Sequence, residues 1–144
     1  MVLHKRDWIL LMLREVALDR IHIMKGLFLI WHRSGRKITG FFKFEPYLYG
    51  PCSFEVYSEL ETLQADGHVV QATHPIPKWV NYYLTEKGRI VAAEAEERAT
   101  SKSLEFIKAV VQETSKMSFY ELLQKVYTEA PDFAVNSMFR GVMK

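Results

Sequence analysis

Four basic residues lie within a short stretch of the chain and form its most concentrated chemical feature. They are Arg33, Arg36, Lys37 and Lys43, in the connection that follows a predicted apolar helix. Clustered guanidinium and ammonium groups neutralise phosphates, which gives salt-sensitive binding that depends little on base sequence. Basic clusters also occur on ordinary solvated loops. The cluster therefore predicts contact with the phosphates of double-stranded DNA, with a solvated loop as the alternative.

The helix predicted after this cluster has the opposite charge. Between Ser53, its expected cap, and Gly67 there are four carboxylates and no Lys or Arg. A helical wheel places Val56, Leu60 and Leu63 together on the core face. The outward-facing residues and their acidic borders are Phe54, Ser58, Thr62 and Ala65, then Glu55, Glu59, Glu61 and Asp66. Because carboxylates repel phosphates and find a good major-groove donor only on cytosine, this helix is unsuited to ordinary DNA reading.

Two sets of site residues follow. If the chain binds DNA, we expect phosphate contacts from the basic cluster and from Lys78, with Ser58 and Thr62 approaching base edges. If it binds a protein instead, the expected contact residues are Phe54, Glu55, Glu59 and Trp79. Trp79 is also explained by folding back onto its own domain. The residues alone leave both binding hypotheses open.

Other chemistries find little support in the residue pattern. Cys52 precedes a helix whose dipole favours the thiolate, but it has no second cysteine to resolve a redox reaction. The five histidines are not spaced as metal ligands. Motifs of phosphate-binding loops, serine hydrolases and zinc peptidases are missing from the sequence. We therefore expect no metal, no cofactor and no enzymatic activity.

The composition is that of a folded chain with a substantial core. Of its 144 residues, 49% are hydrophobic and 13% aromatic. The single cysteine excludes an internal disulfide and predicts a cytoplasmic protein. The apolar run from Trp8 to Leu13 is too short for a secretion signal or a membrane span.

A β-hairpin followed by a capped helix is the clearest predicted motif. Residues 69–74 and 79–84 are expected to form its strands, with Val80, Tyr82 and Leu84 pointing inwards. Pro75-Ile76-Pro77 is expected to form the loop, because proline suits turns better than central strands. Thr85 should cap the alanine-rich helix that follows.

The first half is predicted to contain two helices and an extended aromatic segment. Asp7 is the expected cap of the first helix, and Gly35 should end the second in the left-handed conformation. Phe42 and Phe44 indicate an extended segment after the basic residues. Gly50-Pro51 is then expected to turn the chain into the acidic helix.

Two further helices are predicted near the C-terminus. Leu104, Ile107 and Val111 have helical spacing, and Ser118 with Glu121 matches a capping box. The predicted fold is therefore α+β: a winged-helix domain over residues 1–100 with a helical extension over residues 101–144 packed on the same domain.

Several stretches resemble a known family. MKGLFLI, FKFEPYLYGPCSFEVYSELETL, YYLTEKGR and SFYELLQKVYTEAPDFAVNS resemble the YwgA-like family of small prokaryotic proteins over roughly residues 20–137. The Tyr-Gly-Pro turn after a Lys-containing apolar helix is distantly similar to the Panacea antitoxin domain. The segment YYLTEKGR is similar to the segment of PadR-like and MarR-like regulators in which the wing meets the next helix. The resemblance implies a winged helix and carries over no catalytic residue. Cys52 departs from the family, where a bulky apolar residue is expected.

The leading hypothesis is a prokaryotic winged-helix transcriptional regulator that binds double-stranded DNA. Its support is the predicted fold and a charge asymmetry, since residues 1–43 hold nine Lys or Arg and three Asp or Glu. The helices after Thr85 exceed a minimal winged helix and predict a homodimer through the C-terminal helices. The alternative is a protein-interaction module, antitoxin-like or an accessory subunit of a defence system, with no membrane involvement.

Overall fold

A computed structural model describes residues 3–73 and 80–138. Within these ranges the chain is α+β, with six α-helices and two small antiparallel sheets. The α-helices are α1 Lys5–Glu15, α2 Arg20–Arg33, α3 Phe54–Ala65, α4 Glu86–Arg98, α5 Ser101–Thr114 and α6 Phe119–Glu129, and a 3-10 helix, Pro131–Ala134, follows. The strands are β1 Leu18–Asp19, β2 Glu45–Tyr47, β3 Gly50–Cys52, β4 Val69–Thr73 and β5 Val80–Leu84.

The larger sheet contains the predicted hairpin. Its strand order is β1-β5-β4, and β4 pairs with β5 in the register that joins Val69 to Leu84. Tyr82 and Leu84 are buried as predicted, but Val80 is 38% exposed because it forms the last pair of the ladder, at the end farthest from Leu84. The expected loop at 75–77 lies outside the described residues.

Helix α2 is the centre of the core. Every residue from His22 to Ile30 is buried, so this helix has no solvent face and must be covered on all sides. Helices α1, α5 and α6 and strand β3 all pack against it. The Phe28 ring contacts Phe44 and Phe133 at centroid distances of 5.5 and 4.7 Å. The extension that begins at Ser101 therefore shares one core with the rest of the chain.

Two predicted helix caps are confirmed. Thr85 Oγ1 accepts a hydrogen bond from the Gly88 amide at 3.0 Å, and Ser118 and Glu121 form a capping box. Ser53 holds the N-cap position of α3, but its hydroxyl is buried without a partner and makes no cap bond.

The predicted cap at Asp7 is wrong. Helix α1 begins at Lys5 with His4 as N-cap, so Asp7 lies one turn inside, where it accepts from the His4 amide at 2.7 Å. The Asp7 side chain is fully buried and also accepts from Arg98 Nη1 at 2.8 Å. The aspartate thus joins the start of α1 to the end of α4.

The turn predicted at Gly50-Pro51 is also wrong. These residues form strand β3, whose Pro51 is paired with Pro46 on β2, and the chain reverses at Leu48 and Tyr49 instead. Gly50 has a φ of 86°, and a Cβ there would lie 3.0 Å from the ring of Tyr127. The glycine is therefore required by its backbone conformation and by the close approach of α6. None of the described helices combines the length and apolarity that crossing a lipid bilayer requires.

Candidate functional site

The two arginines of the predicted phosphate-binding cluster contact carboxylates within the chain. Arg33 Nη1 lies 2.7 Å from Glu113 on α5, and Arg33 Nη2 lies 2.6 Å from Glu129 on α6. These hydrogen bonds lower the pKa of both glutamates. Lys125 contacts Glu113 at 2.7 Å and extends the network. Arg33 therefore fastens the end of α2 to the C-terminal helices.

Arg36 has a similar structural position. Its guanidinium makes two hydrogen bonds to Asp132, at 2.9 and 3.1 Å, and lies 5.2 Å from the Trp31 ring centroid and 5.1 Å from that of Phe133. Lys37 and Lys43 are exposed. The structure thus divides the cluster into two internally paired arginines and two solvent-facing lysines.

Helix α3 has the faces that the wheel predicts. Val56, Leu60 and Leu63 are buried, and Ser58 and Thr62 are exposed on the opposite side. The Ser58 hydroxyl donates to the carbonyl of its own helix at Phe54, at 3.3 Å. The DNA-binding candidates on α3 therefore face solvent.

The protein-binding candidates have different surroundings. Phe54 is 60% exposed, whereas Glu55 accepts from Lys5 Nζ at 2.6 Å and from the Lys43 amide at 2.8 Å. Burial opposes ionisation of Glu55, but these hydrogen bonds outweigh it and lower the pKa. Glu59 is half-buried. Two candidates lie outside the described residues: Trp79 for protein binding and Lys78 for DNA binding.

Phe54 belongs to a larger surface that we call the aromatic face. Its large apolar side chains come from the β2–β3 turn, the start of α3, the start of α6 and the end of the described chain. They are Tyr47, Leu48, Tyr49, Phe54, Tyr120 and Met138, each between 43% and 60% exposed. Contiguous exposed apolar surface of this kind marks interaction sites more often than scattered single residues do.

Contacts connect neighbouring members of the aromatic face. The Tyr47 and Phe54 rings meet edge to face at a centroid distance of 5.8 Å. Tyr49 contacts Phe119 at 5.8 Å, and Phe119 contacts the neighbouring Tyr120 at 5.6 Å. The Met138 amide donates to the Leu48 carbonyl at 3.1 Å, so the end of the described chain lies beside the β2–β3 turn.

The charges on the aromatic face are acidic. Residues 44–54 and 117–124 contain two charged side chains, Glu45 and Glu121, and neither segment contains Lys or Arg. Glu45 is exposed and lies two residues before Tyr47, so both side chains project from the same side of β2. Glu121 is exposed and follows Tyr120 directly. The face is therefore complementary to apolar and cationic groups.

A buried lysine holds the hairpin of β2 and β3, whose turn carries part of the aromatic face. Lys25 on α2 is 3% exposed, and its Nζ donates to the Pro51 carbonyl at 2.9 Å. Burial disfavours the ammonium and lowers the Lys25 pKa to about 8. On the other strand of the hairpin, Asn136 Nδ2 donates to the Pro46 carbonyl at 3.1 Å. The hairpin is thus fixed to both α2 and the C-terminal segment.

Most of these residues were not predicted as site residues. The aromatic residues before Gly50-Pro51 were predicted only to form an extended segment, and Lys25 was given no role. A signal for Lys25 was present, because it is the one Lys or Arg between Ile21 and Trp31, in an otherwise mostly apolar helix.

Cys52 and the described histidines were also checked for a metal site. Cys52 is half-buried, with its Sγ 4.0 Å from the Tyr57 hydroxyl. In the part of the chain that the structure describes, no three His, Cys, Asp or Glu side chains gather closely enough to hold a metal ion. Comparison with protein-family models gives no match, and comparison with curated proteins gives no significant one.

Proposed function

We propose that the protein is a winged-helix module that binds another protein through its aromatic face. The winged-helix assignment is supported by the order of helices and by the β1-β5-β4 sheet, in which the first strand pairs with the returning strand of the hairpin. Helix α3 precedes that hairpin, in the position of a DNA-reading helix. Because a fold does not determine function, the choice of partner rests on the surface.

The observation that carries the proposal is the exposure of six large apolar side chains on the β2–β3 turn, the starts of α3 and α6 and the end of the described chain. Aromatic side chains bury a large area when a partner covers them, and they are enriched at the centres of protein interfaces. Tyrosine adds a hydroxyl that remains hydrogen-bonded at the edge of such an interface. The same side chains carry no positive charge, and neutralisation of phosphates by Lys and Arg supplies most of the non-specific affinity of proteins for DNA.

The rigidity of the aromatic face supports the same function. The β2–β3 hairpin is fixed by Lys25 and Asn136, and the Tyr47 and Phe54 rings contact each other. A surface that is ordered before binding loses less conformational entropy when the partner docks. The contacts therefore favour binding without rearrangement of the hairpin.

The charge of the surface defines the partner. Glu45 and Glu121 lie at the aromatic face, and Glu59 and Glu61 continue along α3. A partner segment with apolar side chains and flanking Lys or Arg matches this surface, and cations also bind favourably over Tyr and Phe rings. The acidity of α3 is then a property of a protein-binding surface. Neutralisation of a toxin or service as an accessory subunit in a defence system fits this type of binding.

The test compares two variants that differ only in the location of the change. Phe54→Lys places a cation in the aromatic face, and Val70→Lys places one at an equally apolar, 49% exposed position on β4. Tagged proteins are crosslinked in cells of the source organism, and bound proteins are quantified by mass spectrometry. We expect at least one protein to be lost with Phe54→Lys and retained with Val70→Lys. If no bound protein distinguishes the two variants, the proposal fails.

DNA binding is the second candidate function, and one observation favours it. Lys37 and Lys43 face solvent in the segment that leads to α3, and the β1-β5-β4 sheet supports a wing. Because Arg33 and Arg36 are already paired with carboxylates, the two lysines carry this hypothesis.

Fluorescence anisotropy with a duplex from the region upstream of the gene separates the two functions. If DNA is the ligand, Lys37→Glu/Lys43→Glu should weaken binding to all sequences and reduce the slope of log affinity against log salt by about 2. Equal binding by the wild type and the double variant, or no binding at low salt, would eliminate this function. Tyr120→Ser, which changes an exposed residue on α6 and no charge, serves as the control that leaves DNA binding intact.

A further inference from the structure

A groove beside the larger sheet is lined by apolar and cationic side chains together. It lies between the end of α1, strand β5 and α4, and has a volume of about 450 Å³. Small-molecule sites in proteins typically have volumes of about 300–1,000 Å³. No residue that lines the groove belongs to the aromatic face. The groove is therefore a separate surface feature that is large enough for a small ligand.

Apolar side chains supply much of the lining. Leu13 and Leu84 are buried, whereas Val16 and Tyr83 are 42% and 38% exposed. Ala93 on α4 is exposed and contributes only a methyl group, which leaves space beside it. A flat apolar body in the groove would cover these side chains, and an aromatic body could also stack against the Tyr83 ring.

The charged residues of the lining are two exposed arginines, Arg14 and Arg89. Arg14 Nη1 lies 3.2 Å from Glu96, which does not line the groove. Arg89 makes no ion pair with any residue in the described part of the chain. The carboxylates closest to the two arginines along the chain, Glu15 and Glu86, are exposed and also lie outside the lining. The groove therefore presents positive charge that no carboxylate of its own lining neutralises.

We propose that this groove binds a small organic anion that consists of a carboxylate attached to a flat apolar body. A guanidinium binds a carboxylate through two parallel N–H···O bonds, and Arg89 is the unpaired guanidinium of the lining. Arg14 adds a second positive charge while it remains paired with Glu96. Val16 and Tyr83 cover the apolar body, and Ala93 leaves room for it.

Both parts of the ligand are needed to match the lining. An inorganic anion would contact the arginines but would leave Val16 and Tyr83 exposed to water. A neutral aromatic molecule would cover these side chains but would give Arg89 no anion. The binding of the anionic aromatic molecule should therefore be the tightest of the three. This site shares no residue with the aromatic face, so its test is independent of the proposed function.

The experiment titrates the full chain into 2-naphthoate and follows the anisotropy of the naphthyl fluorescence. We expect saturable binding at one site, with a Kd on the order of 100 µM. The matched neutral probe, 2-naphthalenemethanol, should bind about tenfold more weakly, and inorganic phosphate should compete at least about tenfold less effectively than unlabelled benzoate. Absence of saturable 2-naphthoate binding would overturn the proposal. Equal binding of the neutral probe would overturn the role of the arginines, and equal competition by phosphate would overturn the role of the apolar lining.

Two variants change the groove in different ways. Arg89→Met removes the guanidinium and should weaken 2-naphthoate binding about tenfold without weakening binding of the neutral probe. Ala93→Phe fills the space without changing any charge and should abolish binding of both probes. Lys108→Met removes a positive charge from an exposed position on α5 outside the groove and should have no effect. Equal 2-naphthoate binding by Arg89→Met and the wild type would contradict the assignment.

A measurement on the wild type locates the ligand without any substitution. Amide chemical shifts of the labelled protein are recorded during titration with 2-naphthoate. The largest changes should be at Val16, Tyr83 and Ala93, with Tyr47 and Phe54 of the aromatic face unchanged. Saturable changes confined to residues outside the groove would overturn the proposed site.

Discussion

Replacing Lys25 with methionine should change how the stability of the protein depends on pH. The Lys25 ammonium is 3% exposed, its hydrogen bond to the Pro51 carbonyl is 2.9 Å long, and burial lowers its pKa to about 8. Methionine has a similar length and no charge, so it fills the same space without titrating. The variant therefore isolates the contribution of one proton.

The unfolded chain binds the Lys25 proton more tightly than the folded chain does. Between about pH 8 and the ordinary lysine value of 10.5, the unfolded chain keeps this proton while the folded chain has released it. The free energy of unfolding of the wild type therefore rises with pH in this range. The difference between 10.5 and about 8 corresponds to about 3 kcal/mol in total. About 2 kcal/mol of this appears between pH 7 and pH 9.5, below the titration of ordinary tyrosines.

Urea unfolding of both proteins at a series of pH values measures this contribution. We expect the wild type to gain about 2 kcal/mol relative to Lys25→Met as pH rises from 7 to 9.5. The same pair of curves with Cys52→Ser in both proteins removes the influence of the neighbouring Cys52 side chain on Lys25. Parallel curves for the wild type and Lys25→Met would show that Lys25 is not buried as an ammonium and would refute the reasoning.

Three further predictions concern contacts that hold the candidate site in place. Burial disfavours the charged form of His22, but the hydrogen bond to Asp19 outweighs burial and raises the His22 pKa. The stability that protonated His22 contributes is therefore complete below pH 6.5 and is lost as pH rises through the pKa of His22 in the folded protein. Replacing His22 with asparagine should remove this loss from the unfolding curves. Arg33→Met should lower the free energy of unfolding by about 1–2 kcal/mol, because it removes the guanidinium that joins α2 to Glu113 and the half-buried Glu129 and leaves Lys125 as the cation beside both, and thermal unfolding measures the change. Gly88→Ala should cost about 3 kcal/mol or prevent folding, since its methyl group would collide with the His68 carbonyl oxygen; an unchanged unfolding midpoint in urea would contradict the close contact.

Features that depend on nearby residues were predictable from the sequence. The core face of α3 follows from the helical spacing of Val56, Leu60 and Leu63, and the structure buries all three. Thr85 and Ser118 cap helices because their hydroxyls reach amides three residues along the chain. These patterns are local, so they do not depend on how distant parts of the chain pack.

Contacts between distant residues were not predictable in the same way. Arg33 and Arg36 have the residue types and spacing of a phosphate site, but their carboxylate partners lie 80 to 96 residues further along the chain. The residues next to an arginine in the sequence do not show whether its guanidinium faces solvent or packs against the C-terminal helices. Only the packing of the C-terminal helices on α2 reveals the difference.

The aromatic face was missed for a different reason. The residues before Gly50-Pro51 were predicted only to be extended, whereas the chain reverses between β2 and β3 and leaves Tyr47, Leu48 and Tyr49 exposed. The error began with the turn assigned to Gly50-Pro51, which shifted the reversal by two residues. Because alternate residues of a strand face opposite sides, the position of a turn decides which side chains reach solvent.

Hydroxyl-radical footprinting of the protein inside cells, compared with the purified protein, tests the central claim most directly. Oxidation is measured residue by residue, and the experiment works whether or not the partner has been identified. The account predicts that Tyr47, Tyr49 and Phe54 are oxidised less in cells than in isolation, while Val70 is oxidised equally in both. Equal oxidation of the three aromatic residues in both samples would contradict protein binding at the aromatic face.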